Sequence, residues 1–392
     1  ASVACTESER ERHPARHAAR GGLGAVMGSK GLKYVSVEAG KAKARVGSDK
    51  KAWAAICKQS SKDYLAGPQL MKTGTSTTVP LAQVLHTFPY KNRVEGQSPD
   101  AETLDGHRIL ESFEERGGGM HNCMTGCIVK CSNVVHDAEE TLTLLGSNCA
   151  IQSWEDVADL DRLCDEVGLD TIETGAAIAI YMDSGGMEFG DAEGAKGILK
   201  EIAEGTELGR MIGNGALETG KRRKHHRIPT VRGQAIPAWD PRPLKATGVT
   251  YLTSAQGADH TAGLVVNPGL AAEQLPQASQ DSQLLNAIVD ASGFCMFLML
   301  NADTIRRFYS AYFGREFSRE EFYDLGWQIL EDEWEFNKRA GWKREEDVMP
   351  ACMEEDKIGP LQVSFDVPHG IVQKAYEKIG SRDSFWEAES SA

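Results

Sequence analysis

The sequence predicts an α+β fold, with a short β-rich N-terminal segment ahead of two mostly α-helical domains. Three observations carry that expectation. Residues 31–39, "GLKYVSVEA", alternate apolar and polar side chains as a strand with one buried face does. From residue 50 onward the apolar spacing turns mostly helical. A stretch with four prolines, "RIPTVRGQAIPAWDPRP" at 227–243, reads as an extended connector between domains. The boundaries are then 1–46 for the β-rich segment, 47–235 for the first helical domain and 236–392 for the second.

Within the first helical domain, "EDVADLDRLCDEVG" (155–168) has helical periodicity and ends on Gly168, a fitting C-terminal cap. A second pattern, "DTIETGAAIAIYMDSGG" (170–186), starts at once, so two helices meet at "GLD". Beyond the connector the periodicity predicts helices at 302–313, 318–341 and 367–380. The middle one opens with Ser318 and Glu321 in capping-box spacing and carries aromatic and aliphatic residues on one face. One hexamer recurs: "DEVGLD" (165–170) and "DASGFC" (290–295) share Asp-x-x-Gly-apolar-(Asp or Cys). Two copies suggest two similar ligands.

At 392 residues, 41% hydrophobic and 26% charged, the chain has the make-up of an ordinary globular protein of two or three domains. Its formal charge of -14 argues against a nucleic-acid partner, which is met with an excess of Lys and Arg. The basic run "KRRKHHR" (221–227) stands against that trend, and reads as a solvated interdomain loop, with a docking patch for an acidic protein as the alternative. The longest apolar stretches, 175–182 and 293–300, fall short of the roughly 20 residues a membrane helix needs. The N-terminus lacks the apolar core of a signal peptide, and it lacks an initiating Met, which suggests a fragment. Nine cysteines, unevenly spaced, point to a reducing, cytoplasmic setting with metal-binding or catalytic thiols.

Three of those nine lie in "GGGMHNCMTGCIVKCSN" (117–133), as Cys123, Cys127 and Cys131. On a helix their side chains would form one row; Gly126 and the glycines at 117–119 make a loop equally compatible. Zinc sites favour paired cysteines with a second pair far off, and no such pair exists in the sequence. A four-iron cluster takes a tight run of three thiolates plus one remote Cys. The remote ligand has to come from Cys5, Cys57, Cys149, Cys164, Cys295 and Cys352, and Cys295 stands out because it ends the second hexamer.

Read together and in order, "ARGGLGAVMGSKGLK" (19–33), the Cys triplet, "EETLTLLGSNC" (139–149), "DEVGLDT", "IPAWDPRP", "QGADH" (256–260) and "DASGFC" resemble the aldehyde:ferredoxin oxidoreductase family, from residue 15 to the C-terminus. That resemblance implies tungsten, less often molybdenum, held by a bis-pyranopterin cofactor beside a [4Fe-4S] cluster. The implied reaction oxidises an aldehyde to a carboxylic acid and passes two electrons to ferredoxin or an iron-sulfur electron-transfer subunit. It implies Cys123, Cys127, Cys131 and Cys295 as cluster ligands. Asp165, Gly168, Leu169 and Asp170 would face one pterin, and Asp290, Gly293 and Phe294 the other. Arg20, Gly21 and Gly22 would approach the cofactor phosphates, where Mg2+ commonly bridges the pterins.

Glu140 of the "ET" pair and His260 of "GADH" are the implied proton-handling residues. The fold implied is the remnant of a β-rich N-terminal domain, followed by two mostly helical domains with the cofactor site between them. The triplet departs from the family's commonest Cys-x2-Cys-x3-Cys by one residue, an insertion that Gly126 can absorb, and Phe294 replaces the usual Leu. Cys149 is either a small core residue or a direct metal ligand. A tungsten benzoyl-CoA reductase of the same family and a non-catalytic iron-sulfur subunit are the alternative readings, and a homo-oligomer is compatible with all three.

Overall fold

The computed structural model describes residues 2–4, 17–38, 40, 41, 43, 45–67, 73–124, 126–133, 139–378 and 382–387. Cys5, one of the candidate fourth ligands, lies outside them. The chain divides into two compact units that interleave along the sequence. The first comprises Ala1–Leu32, Leu70–Gly248 and Val348–Asp366; the second comprises Lys33–Gln69, Val249–Asp347 and Val367–Ala392. Both are mainly helical, and the named strands among the described residues are two-residue pairs.

In the first unit the central element is the helix Thr171–Asp183, buried along nearly its whole length. Its run of Gly175, Ala176, Ala177 and Ala179 presents almost no side-chain bulk, so neighbouring backbone comes close. A Cβ on Gly175 would lie 2.4 Å from the carbonyl carbon of Leu144, which leaves room there for glycine alone. Leu144 belongs to a π-helical stretch, Leu142–Gly146, in which every residue is buried. The helices Trp154–Val167, Ala192–Glu204 and Glu207–Gly213 complete this core.

The second unit is built on the helix Leu275–Ala291 packed against Arg319–Arg339, with Ala302–Phe313 laid against Lys50–Ala66. The capping box expected at Ser318 forms: Glu321 N–H donates to Ser318 Oγ at 3.1 Å, and Ser318 N–H to Glu321 Oε2 at 2.9 Å.

Three sequence expectations need correction. The strand expected over 31–39 does not form in its described part: residues 32–38 have no regular structure, and Tyr34, Val35 and Val37 are exposed. Alternation specifies a strand only where a neighbouring strand takes up its hydrogen bonds, and among the described residues no such neighbour is paired with this stretch. The helix expected over 367–380 is a short α-turn, His369–Val372, continued as a 3-10 turn, Gln373–Tyr376.

The proline-rich 227–243 lies inside the first unit and is no free connector. Thr230–Val231 and Gln234–Ala235 form a tight hairpin, with positive φ at both turn residues, Arg232 (52°) and Gly233 (82°). Asp240 follows, fully buried between Arg93 and Arg242, which are fully buried too. Arg93 also donates to the carbonyls of Ile236 and Pro237, and Arg242 to that of Arg93. The two guanidiniums hold the Asp240 carboxyl below the ordinary aspartate range against the upward pull of burial.

Candidate functional site

The glycine-rich segment forms a 3-10 turn, Arg20–Gly22, leading into the helix Leu23–Ser29. Gly21 (φ 80°) and Gly22 (φ 71°) are both left-handed, and a Cβ at either would meet nothing within 4 Å. Backbone is therefore open to approach at the turn. Arg20 points the other way: its Nη2 donates to the carbonyl of Ala235 at 2.7 Å and its Nε pairs with Asp170 at 3.5 Å.

Ala235 is gripped at both of its backbone polar groups, because its N–H donates to Glu173 Oε2 at 2.8 Å. The other oxygen of Glu173 accepts the Ala216 N–H, also at 2.8 Å, at the start of the helix Ala216–Arg223. Burial raises the Glu173 carboxyl above the ordinary glutamate value, the two N–H bonds oppose that rise, and Asp170 adds to it. Sequence reasoning missed Glu173. Its place in the first turn of a helix reads as dipole compensation, and the partners 43 and 62 residues away have no signature in the sequence.

Glu140 is buried on the short turn Glu139–Thr141, directly before the π-helical stretch. Its Oε2 accepts the Ala238 N–H at 2.7 Å, which ties it to the segment after the hairpin. Cys149 is fully buried and its thiol donates to the carbonyls of Leu144 and Gly175, each at 3.4 Å. Burial pushes that thiol well above the ordinary cysteine range, and its side chain packs within the core of the first unit.

The repeated hexamers adopt related shapes. In the first, the helix Trp154–Val167 ends at left-handed Gly168 (φ 79°), whose N–H returns to the Cys164 carbonyl at 2.8 Å together with that of Leu169. Leu169 drops into the core, and Asp170 caps the next helix through the Ile172 N–H at 2.9 Å. In the second, Gly293 (φ 70°) returns its N–H to the Asp290 carbonyl at 3.0 Å, and Phe294 turns inward onto Phe308, ring centroids 5.0 Å apart. A Cβ on Gly293 would meet nothing within 4 Å. Asp165 is half-buried on its helix, and Asp290 is exposed at the end of the helix Leu275–Ala291.

His260 lies half-buried in a 3-10 turn, His260–Ala262, in the second unit. Asp259 caps that turn, accepting the N–H of Thr261 at 2.8 Å and its hydroxyl at 2.7 Å. Asn286, from the core helix, donates to the Thr261 carbonyl at 3.0 Å. Asp290 keeps contact with solvent, yet the surrounding protein desolvates its carboxyl, and this, followed by the Asp259 carboxylate, raises it above its ordinary value. The second unit thus brings the His260 turn and the second hexamer together.

The cysteine triplet sits on a loop rather than a helix. Antiparallel pairing of Met120 with Asn133 and of His121 with Ser132 closes its base. Gly126 (φ 85°) and Lys130 (φ 50°) bend the loop, and the Cys127 N–H donates to the Met124 carbonyl at 3.2 Å. Cys123 is exposed, Cys127 and Cys131 are half-buried, and Cys295, in the other unit, is exposed; none is in a disulfide. Among the described residues no three His, Cys, Asp or Glu side chains converge into a metal-ligating group.

The basic run 221–227 is no interdomain loop, since it lies within the first unit and begins as helix, though Lys221, Arg222, Lys224 and His226 are exposed as expected. Lys221, Arg222 and Arg223 end the helix Ala216–Arg223; Arg223 then binds the Ser184 carbonyl at 2.8 Å and lies over the Tyr181 ring. His225 Nε2 and Arg227 Nη1 both meet Asp183, at 2.8 and 3.2 Å, and Arg227 also pairs with Asp356 at 3.0 Å. Arg222 and Arg227 are thus ion-paired within the chain, Arg222 with Glu218 at 2.5 Å, while Lys221 and Lys224 stay exposed.

Fold and residues define a class: a mainly helical chain in two compact units, with a cysteine loop on one and an Asp-x-x-Gly helix-end turn on each. The chain belongs to the aldehyde ferredoxin oxidoreductase family, since residues 51–380 match the family profile "Aldehyde ferredoxin oxidoreductase, domains 2 & 3". Curated relatives include the tungsten-containing aldehyde ferredoxin oxidoreductases of Pyrococcus furiosus, 28% identical over 362 residues, and of Pyrococcus abyssi, 28% identical over 383. These alignments cover 83% and 88% of this chain but 60% and 63% of the relatives, so the chain spans less than two thirds of their length. Among solved structures, the active site complex BamBC of benzoyl coenzyme A reductase, in complex with 1,5-dienoyl-CoA, has the same fold. Its TM-score is 0.69 at 16% identity, over 92% of this chain and 66% of that one. No helix of the described residues is long and apolar enough to cross a membrane.

Proposed function

We propose that this chain carries the catalytic residues of a tungsten, or molybdenum, bis-pyranopterin oxidoreductase that converts aldehydes to carboxylic acids. Two electrons would leave through a [4Fe-4S] cluster to ferredoxin or a partner subunit. The observation that carries the reading is the pair of matched Asp-x-x-Gly turns, left-handed at Gly168 and Gly293, within a chain of this family. The residues present fit such a cofactor set. The backbone at Gly21, Gly22 and Gly293 has open space beside it, where a phosphate or a flat ring needs close approach. Four cysteines outside any disulfide supply the soft thiolates of an iron-sulfur cluster.

In this reading Cys123, Cys127, Cys131 and Cys295 ligate the cluster. Asp165, Asp170 and Asp290 accept N–H groups from the pterin rims as charge-assisted hydrogen bonds. Leu169 and Phe294 anchor the two turns from the core side, and Gly21 and Gly22 open their backbone to the phosphates and their Mg2+ while Arg20 braces that turn through Ala235 and Asp170. When bound, the metal-pterin group polarises the carbonyl and takes up the electron pair. Oxidation of an aldehyde with water releases two electrons and three protons for each carboxylate formed. Glu140, its carboxylate aimed by the Ala238 N–H, takes a proton from the attacking water, and His260 passes protons towards solvent.

Metal analysis of the purified protein tests the reading. About four iron atoms and one tungsten or molybdenum per chain are expected, and Glu140→Gln should keep both while losing aldehyde-dependent viologen reduction. Iron without tungsten or molybdenum would leave an electron-transfer subunit instead. Turnover with benzoyl-CoA and a reductant, but not with aldehydes, would move the chain to the reductive branch.

A further inference from the structure

The chain is strongly acidic, yet one face of the second unit is basic. Lys41, Lys43, Arg45, Lys50 and Lys51 fall within eleven residues, and all are exposed. Main-chain bonds from Ser48 and Asp49 to the carbonyls of Tyr312 and Ala311, both 2.9 Å, fasten this segment to the end of the helix Ala302–Phe313. A Cβ on Gly47 would lie 3.0 Å from Tyr312 Cα, so the approach is close. The fastening brings a second set of cations, Arg306, Arg307 and Arg315, alongside the first.

Between Lys50 and the second set runs an open groove of about 930 Å3, with Lys50, Arg306, Arg307 and Arg315 among its lining residues together with Ala52, Ala55 and Ile56. Asp49 and Glu316 also line it. Arg306 is held by Asp303 at 2.9 Å and Arg315 by Glu321 at 3.1 Å, whereas Lys50 and Arg307 have no ion-pair partner among the described residues. Two cations outside any such ion pair are thus held on separate helices of one groove. Behind it, Trp53 meets Phe308 with ring centroids 4.9 Å apart, and Phe308 meets Phe294, the residue before Cys295, at 5.0 Å. The groove therefore backs onto the packing that supports the proposed cluster ligand.

We propose that this groove docks an acidic electron-carrier protein, a small ferredoxin-type molecule with a carboxylate-rich face. The redox role rests on the assignment of Cys295 to a cluster; the docking does not. A chain of charge -14 repels an acidic partner at long range, so productive encounter needs a local patch of opposite sign, and complementary charge acts chiefly on the association rate. Each docking moves one electron from the reduced cluster to an oxidised carrier, and two dockings clear the pair taken from one aldehyde. Cations spread from 41 to 51 and from 306 to 315 suit a protein face better than a single phosphate group.

The test compares two acceptors for the same holoenzyme, an acidic [4Fe-4S] ferredoxin and benzyl viologen, which needs no docking surface. Lys50→Glu combined with Arg307→Glu should lower kcat/KM for ferredoxin by about tenfold or more and leave viologen reduction within about twofold. Raising salt from about 50 to about 300 mM should mimic the variant for ferredoxin only. Lys221→Glu with Arg222→Glu, in the other basic run, should behave as the parent does. Carbodiimide coupling should join Lys50-containing peptides to ferredoxin carboxylates, and this arm needs no turnover. If neither acceptor is reduced, the enzyme reading fails while the coupling still decides the docking. Unchanged ferredoxin kinetics and coupling in the charge-reversed variant, or an equal loss in the Lys221/Arg222 control, would overturn the proposal. So would saturable binding of ADP that Lys50→Glu/Arg307→Glu abolishes, if ferredoxin coupling were unaffected.

Discussion

Asp281, on the core helix Leu275–Ala291, is 5% exposed and accepts from Gln277 Nε2 at 2.8 Å. Burial pushes its carboxyl up to about 6, with the bonds from Ser384 and Gln277 working against the rise. A carboxyl raised in the folded state binds its proton more tightly there than in the unfolded chain, so it favours folding at low pH, and that advantage disappears as pH climbs through the folded value. Between about pH 4 and pH 6 the parent should lose about 2 kcal/mol of stability relative to Asp281→Asn, which carries no titrating group at this position. Urea unfolding of both proteins across that range measures it, and parallel profiles would contradict it. Residue chemistry was unevenly legible. Cysteine clustering and the repeated Asp-x-x-Gly hexamer are local patterns, and the sequence announces both. The Glu173 grip on Ala216 and Ala235, and the burial of Asp240 between Arg93 and Arg242, depend on chain segments that meet only after folding.

At the scale of elements, legibility followed whether a signal is self-contained. The helix at 318–341 and its capping box were readable because cap, periodicity and stop lie in one stretch; the structure forms it as Arg319–Arg339 with both box hydrogen bonds. Gly168 was readable as a helix end for the same reason. The segment 31–39 was not, because a strand needs a partner and its alternation says nothing about where that partner is. The π-helical turn Leu142–Gly146 left no trace in "LTLLG", since it is fixed by packing against Gly175 and not by propensity. Removing a cap whose worth is local should have a local cost. Ser318→Ala should destabilise the protein by about 1 kcal/mol, read as a lower urea midpoint with unchanged slope. A change in slope would mean that the helix start does more than close the box.

For the whole molecule, the thiols offer the most direct check on how distant parts of the chain cooperate. Cys127→Ser in the full chain should abolish the broad visible absorbance of an iron-sulfur cluster while an oxidised pterin remains extractable. Retention of that absorbance would remove the triplet from the proposed ligand set. The two units are assembled from three segments each, and the chain passes between them five times, at 32/33, 69/70, 248/249, 347/348 and 366/367. Such threading has a consequence for biogenesis. Most large chains mature domain by domain as they leave the ribosome, but here the first unit waits for residues 348–366 and the second for 367–392. Neither core is complete until its third segment has been made, so in each unit the earlier segments leave the ribosome without their full cover, and a cofactor that needs a finished unit has to be loaded after that segment emerges.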